Sequence, residues 1–189
     1  MVRLFIAVEV EDHNTLRKII EVKNRVSSCS SDLDLKVVED ENLHITLRFI
    51  GEVSEGMVND VVKVLGCVSG LKKFSIRFRG LGAFPSTGRP RVIWLGVSEG
   101  AAQLKEVRDC IERGLRRLGF QAEREEFSPH LTLARVKEFK PSMCLSELFS
   151  ELSDVDLGTS PITRVKLKKS VLTPRGPIYS DIFEVLLMG

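Results

Sequence analysis

The sequence predicts an α+β fold built from two similar units, and three observations carry that expectation. Strand-like and helix-like segments alternate along all 189 residues. The element order of the first half returns, distorted, in the second. A tetrad H-x-T-x occurs once in each half, as "HITL" from His44 and "HLTL" from His130, and these are two of only three histidines.

"RLFIAVEV" is an apolar strand pattern that runs into "EDHNT", a stretch with helix-capping chemistry. Leu16, Ile19, Ile20, Val22 and Val26 then follow at near-helical spacing. "LDLKVV" and "LHITLRFIGEV" read as strands, and "SEGMVNDVVKVLG" as a helix capped by Ser54 and ended at Gly66. "KKFSIRFRGLGAF" alternates Phe74, Ile76 and Phe78 against Ser75, Arg77 and Arg79, the period of a half-buried strand.

"PSTGRP", Pro85 to Pro90, is the clearest loop and separates the halves. Beyond it "RVIWLGV" is a strand. Ser98 is expected to cap a long helix with Leu104, Val107, Ile111, Leu115 and Leu118 inward and Gly119 at its stop. "FSPHLTLARV" is another strand, "SELFSELS" a short helix, and "RVKLKKSVLT" with "IYSDIFEVLLM" a closing hairpin. His44 lies 36 residues after Val8, and His130 lies 33 after Val97, so the tetrads occupy equivalent points of two repeats. The expected organisation is one bilobal domain over 1–189, with approximate repeats at 1–84 and 91–189.

Composition bounds the function only loosely. Hydrophobic residues at 43% and charged residues at 29% are globular values. A net charge of +2 does not identify a nucleic-acid partner, although a local basic groove is compatible with it. No apolar run approaches the roughly 20 residues that span a bilayer, and the acids in "MVRLFIAVEVED" fit a first strand rather than a signal peptide. Cys29, Cys67, Cys110 and Cys144 are scattered and form no C-x-x-C pair. Reduced thiols in a cytoplasmic protein are the expectation.

Alternation gives the tetrads their meaning. On a strand, residues two apart share a face. His44 and Thr46 would therefore project together while Ile45 and Leu47 enter the core, and His130 and Thr132 would do the same against Leu131 and Leu133. A strand that merely contains His and Thr is an ordinary thing. Two of three histidines in this pattern is a coincidence on the order of 1 in 5,000 if positions are independent.

If the two strands face one groove, one neutral imidazole serves as general base and one protonated imidazole as general acid near neutral pH. The threonine hydroxyls can donate to phosphate oxygens. A cyclic phosphodiester suits such a pair, because water must be activated on one side of phosphorus while the departing ribose oxygen is protonated on the other.

Through "RLFIAVEV", "NLHITLRFIGEV", "GLGAFPSTGRPRVIWLGV", "FSPHLTLARV" and "SVLTPRGPIYSDIFEVLL" the chain resembles the two-histidine phosphoesterase superfamily, and within it the RNA 2',3'-cyclic phosphodiesterase (2'-5' RNA ligase) family. The resemblance implies two antiparallel sheets lining a central cleft, with helices on the outer faces. It implies hydrolysis of an RNA 2',3'-cyclic phosphate to a 2'-phosphate without metal or other cofactor. His44 and His130 match the catalytic pair, Thr46 and Thr132 the phosphate-binding threonines, Arg135 a phosphate-contacting arginine and Phe49 an aromatic near the terminal nucleobase. His44 is expected as acid and His130 as base. RNA ends, tRNA halves among them, are the expected partners of a monomer with no membrane association.

Arg135 lies at an odd offset from His130, which on an ideal strand turns it to the opposite face unless a bulge redirects it. Arg48, Arg77, Arg79 and Arg91 are further candidates to line the cleft, and Tyr179 to reach it. Trp94 is expected to pack, and His13 to sit exposed at a helix entry. Three other readings stay open. The same acid and base could join a cyclic end to a 5'-hydroxyl, although water at about 55 M competes with that nucleophile. The cleft could bind RNA ends without turnover. Two histidines could ligate zinc, but no Cys, Asp or Glu stands at ligand spacing beside them.

Overall fold

The computed structural model of the protein describes residues 1–189 throughout. The strands are β1 (Val2–Val8), β2 (Asp34–Val37), β3 (Ile45–Val53), β4 (Phe74–Phe84), β5 (Val92–Glu99), β6 (His130–Glu138), β7 (Asp156–Ile162), β8 (Arg164–Thr173) and β9 (Gly176–Leu186). The helices are α1 (His13–Ser27), α2 (Val58–Val64), α3 (Ala101–Arg117) and α4 (Met143–Glu151), with short 3-10 turns between.

Every strand pairing is antiparallel, in the order β7-β4-β5-β6-β3-β1-β8-β9, and β2 pairs β6. Apart from β2, the sheet is two four-stranded halves that meet at one residue pair, Ile45 opposite Leu131. The expected α+β architecture of two sheets is therefore present, fused at a single point. The halves do not follow the chain: β8 and β9 from its end complete the half begun by β1 and β3, while β4 joins β5, β6 and β7 from its middle. Pro85 to Pro90 accordingly closes the β4–β5 hairpin inside one half, with Arg91 N–H donating to the Phe84 carbonyl at 2.8 Å.

The helices cross over in the same way. α1 follows β1 yet packs on β6 and β7, joined by α4 on β4. α3 follows β5 yet reaches β3, beside the 3-10 turn Leu65–Gly70 that extends α2 and packs on β9. Leu4, Ile6, Ile45 and Leu47 from one half and Leu131 and Leu133 from the other belong to one buried cluster.

Capping explains the helix ends. The Asp12 carboxylate accepts from Thr15 N–H at 2.8 Å and starts α1, and the Ser142 hydroxyl accepts from Leu145 N–H to start α4. Three expectations need correction. Ser98 lies within β5, and α3 starts instead after Gly100, whose φ of +87° makes a sharp exit from the strand. Ser54 precedes a 3-10 turn and makes no side-chain cap bond. Leu118 is 37% exposed because α3 ends at Arg117, whereas Gly119, at φ +93°, does mark the stop.

The cysteines are not free. Cys29 bonds Cys144, linking the 3-10 turn after α1 to α4, and Cys67 bonds Cys110, linking the turn after α2 to α3. The Cα separations of 5.6 and 6.2 Å fall within the disulfide range. Spacings of 115 and 43 residues carry no sequence signature, since only the folded helix pairs bring these positions together.

Candidate active site

The pair Ile45–Leu131 lies at the start of both tetrad strands. Continuing that antiparallel register sets His44 across from Thr132 and Thr46 across from His130. All four polar residues then share one face, backed by Ile45, Leu47, Leu131 and Leu133, each at most 1% exposed. His44 and His130 become diagonal neighbours, roughly 7 Å apart at the backbone.

Each strand then makes the same departure from regularity. In the β1–β3 pairing Ile6 faces Arg48 and Ala7 faces Thr46, so Leu47 is an extra residue. In the β5–β6 pairing Ile93 faces Ala134 and Trp94 faces Thr132, so Leu133 is the extra residue. A bulge places two successive side chains on the buried side, here Leu47 with Arg48 and Leu133 with Ala134. The next residues, Phe49 and Arg135, return to the cleft, each five positions after its histidine.

The imidazoles are held alike. His44 Nδ1 lies 2.6 Å from the Asn42 carbonyl and His130 Nδ1 lies 2.8 Å from the Ser128 carbonyl, each two residues upstream. A carbonyl only accepts, so Nδ1 carries the proton in both rings and Nε2 is left as the reactive nitrogen. His44 Nε2 accepts from the Thr46 hydroxyl at 2.9 Å. Burial pushes both imidazoles below the usual histidine range, opposed in each case by the carbonyl at Nδ1. The Lys168 and Arg135 charges lower His44 further while Glu9 raises it, and Arg135 also lowers His130.

Aromatic rings pack against each histidine. Phe5 lies 5.1 Å and Tyr179 5.6 Å from the His44 ring, and Phe84 lies 4.9 Å from that of His130. Trp94 packs against Phe84 and His130 in space left by Gly82, confirming the packing reading. The cleft measures about 860 Å³, a usual size for a small-ligand site, and contains His44, Thr46, Phe49, His130, Thr132 and Arg135. Tyr179 also lines it, and burial raises its phenol, which stays protonated. No group of three or more His, Cys, Asp or Glu side chains is arranged to hold a metal ion.

The other arginines lie elsewhere. Arg48 is buried behind the sheet against Glu112 at 2.6 Å, because the bulge turns it there. Arg77 pairs with Glu99 and Asp156, and Arg79 with Asp154. Arg91 is exposed outside the cleft. Sequence reasoning missed the two segments before the tetrads, Lys36 to Glu39 and Glu123 to Ser128, which both line the cleft. Their one legible signal is that each leads into a histidine.

A curled antiparallel sheet presenting a histidine and a threonine from each half at its crossing is the arrangement of a two-histidine phosphoesterase. The chain belongs to the LigT-like phosphoesterase family, whose model matches it twice, over residues 10–94 and 95–179. It is 46% identical over 161 residues to an Aeropyrum pernix protein named RNA 2',3'-cyclic phosphodiesterase, covering 85% of this chain and 91% of that one. An Archaeoglobus fulgidus protein of the same name is 39% identical over 180 residues, covering 95% and 97%. A solved Thermus thermophilus structure superposes with TM-score 0.81 at 27% identity over 97% of both chains. Escherichia coli LigT in its apo form shares the fold, with TM-score 0.76 at 21% identity over 100% of this chain and 98% of that one.

Proposed function

We propose that this protein hydrolyses the 2',3'-cyclic phosphate at an RNA end to a 2'-phosphate, with His44 and His130 as the acid and base. The observation that carries the reading is the matched anchoring of both Nδ1 atoms, which leaves two Nε2 atoms on one face across the strand crossing. The relatives named RNA 2',3'-cyclic phosphodiesterase support the substrate class.

His130 Nε2, which has no protein partner, takes a proton from water as the water oxygen bonds to phosphorus. The bond from phosphorus to the ribose 3'-oxygen breaks, and His44 Nε2–H supplies that oxygen with a proton. Once His44 is protonated its Nε2 no longer accepts, so its Nε2–H is available to the departing 3'-oxygen and the Thr46 hydroxyl turns to donate to a phosphate oxygen. Thr132 serves the same phosphate from the other strand, Arg135 adds a charged donor, and Phe49 lies toward the terminal base. We also read the chain as a single bilobal domain, a monomer working in the cytoplasm on RNA ends that include tRNA halves. The double match to the family model supports the repeat.

The test is an oligonucleotide ending in a 2',3'-cyclic phosphate, incubated with the protein in chelator. A 2'-phosphate product is expected, and His44→Ala and His130→Ala should each lower kcat by about 100- to 10,000-fold. No product, or full activity in both variants, overturns the reading.

A further inference from the structure

Arg3 is a strand arginine with no carboxylate within ion-pair distance, in contrast to Arg48, Arg77, Arg79 and Arg164. Its guanidinium lies over the Phe49 ring, 5.3 Å from the centroid, and its buried Nε has no hydrogen-bond partner. Register fixes where it points. Arg3 pairs with Ser170, and Ser170 with Tyr179, so the three share one face of the sheet. Phe5, two residues along β1 on that same face, packs against His44, Phe49 and Tyr179. The Arg3 charge is felt at Tyr179.

A half-buried guanidinium held by an aromatic ring beside the cleft, making no ion pair even though Glu52 stands opposite it on β3, is a site for an anion. Glu125 and Glu126 also line the cleft and make no ion pair, so they disfavour a path for a phosphodiester chain along their segment, whereas Glu123 is paired with Arg108. We propose that Arg3 binds the backbone phosphate next upstream of the cyclic end, so that the RNA leaves the cleft over Phe49 and an oligonucleotide is preferred to a mononucleotide. This assignment rests on the phosphodiesterase reading above.

Three substrates test it: a 2',3'-cyclic mononucleotide, a cyclic-ended dinucleotide, and that dinucleotide with its linkage replaced by a neutral methylphosphonate. The wild-type protein should show kcat/KM about tenfold higher on the phosphate-linked dinucleotide than on the methylphosphonate, the scale of one charged hydrogen bond. In Arg3→Gln that ratio should collapse toward one, and Arg3→Lys should restore part of it. A wild-type ratio near one, or a ratio unchanged in Arg3→Gln, overturns the assignment even if all three substrates turn over. If the wild-type protein turns over none of them, the phosphodiesterase reading itself falls and takes the assignment with it.

Discussion

Ile45 and Leu131 are the one residue pair joining the two halves of the sheet, and they stand directly beside His44 and His130. A single backbone pairing thus sets the position of both tetrads relative to each other. Both side chains are at most 1% exposed, so the crossing is anchored in the core on one side and presents the polar groups on the other. Rigid strands then hold a site whose candidate acid and base come from distant parts of the chain.

The first prediction concerns pH. Burial lowers both imidazoles, so in the free protein at neutral pH both are mostly neutral. A step needing one protonated and one neutral ring is fastest between the two apparent values, which belong to the pair. The kcat/KM profile is expected to be bell-shaped, with its maximum on the acid side of about 6.5. A bound phosphodiester anion favours the protonated ring and should move the kcat profile to higher pH. Stability follows the same shifts: the unfolded chain binds more protons than the folded one, so the histidine contribution is full above about 6.5 and is lost as pH falls below it through the lower folded-state values. A kcat/KM that rises steadily through pH 9 would contradict the acid–base pair.

The second prediction concerns Arg135. It makes no ion pair or side-chain hydrogen bond within the protein and reaches the cleft only because Leu133 is an extra residue in β6. Arg135→Ala should raise KM by about tenfold or more, the scale of a lost charged hydrogen bond to phosphate. Arg135→Lys should fall between, since an ammonium keeps the charge and loses the bidentate geometry. Steady-state kinetics on a cyclic-ended oligonucleotide read both, and an unchanged KM in Arg135→Ala removes this arginine from the phosphate site.

Much of this site was legible from strand alternation, which turned His44, Thr46, His130 and Thr132 one way and their apolar neighbours the other. The bulges were not, because a bulge is a mismatch between two strands and neither sequence alone records it. For that reason Arg48 reads as a cleft residue while lying behind the sheet, and Arg135 reads as misdirected while lying in the cleft. β7 escaped for a different reason. Gly158 at φ +94° and Pro161 break its pattern, and both are tolerated because β7 is an edge strand paired only with β4.

The third prediction concerns the disulfides, each of which ties an element before Pro85 to one after it. Closing loops of this length restrains the unfolded chain and commonly stabilises by about 2–4 kcal/mol per bond. For a chain of this size each bond should then be worth roughly 5–15 °C of Tm. Calorimetry with and without reductant, and on Cys144→Ser and Cys110→Ser, measures this. Neither bond lines the cleft, so activity well below Tm should persist after reduction. Four titratable thiols in the native, unreduced protein would show that the bonds do not form.

The last prediction separates structure from catalysis at Arg48. Its Nε donates to Glu112 at 2.6 Å, its other nitrogens reach the carbonyls of Phe49 and Gln121, and both charged residues are 7% exposed. Removing one member of a buried pair strands the other charge, at a cost of about 3–5 kcal/mol. Glu112→Leu should lie near the lower end of that range, because two carbonyls and the Glu123 carboxylate, 3.7 Å away, still face the guanidinium. The double variant Arg48→Met with Glu112→Leu removes both charges, and it should cost less than the sum of the two single substitutions by roughly 1–3 kcal/mol. Denaturant unfolding of the three variants gives that coupling directly. KM on a cyclic-ended oligonucleotide should stay near the wild-type value in the folded variants, whereas an arginine that touched substrate would raise it.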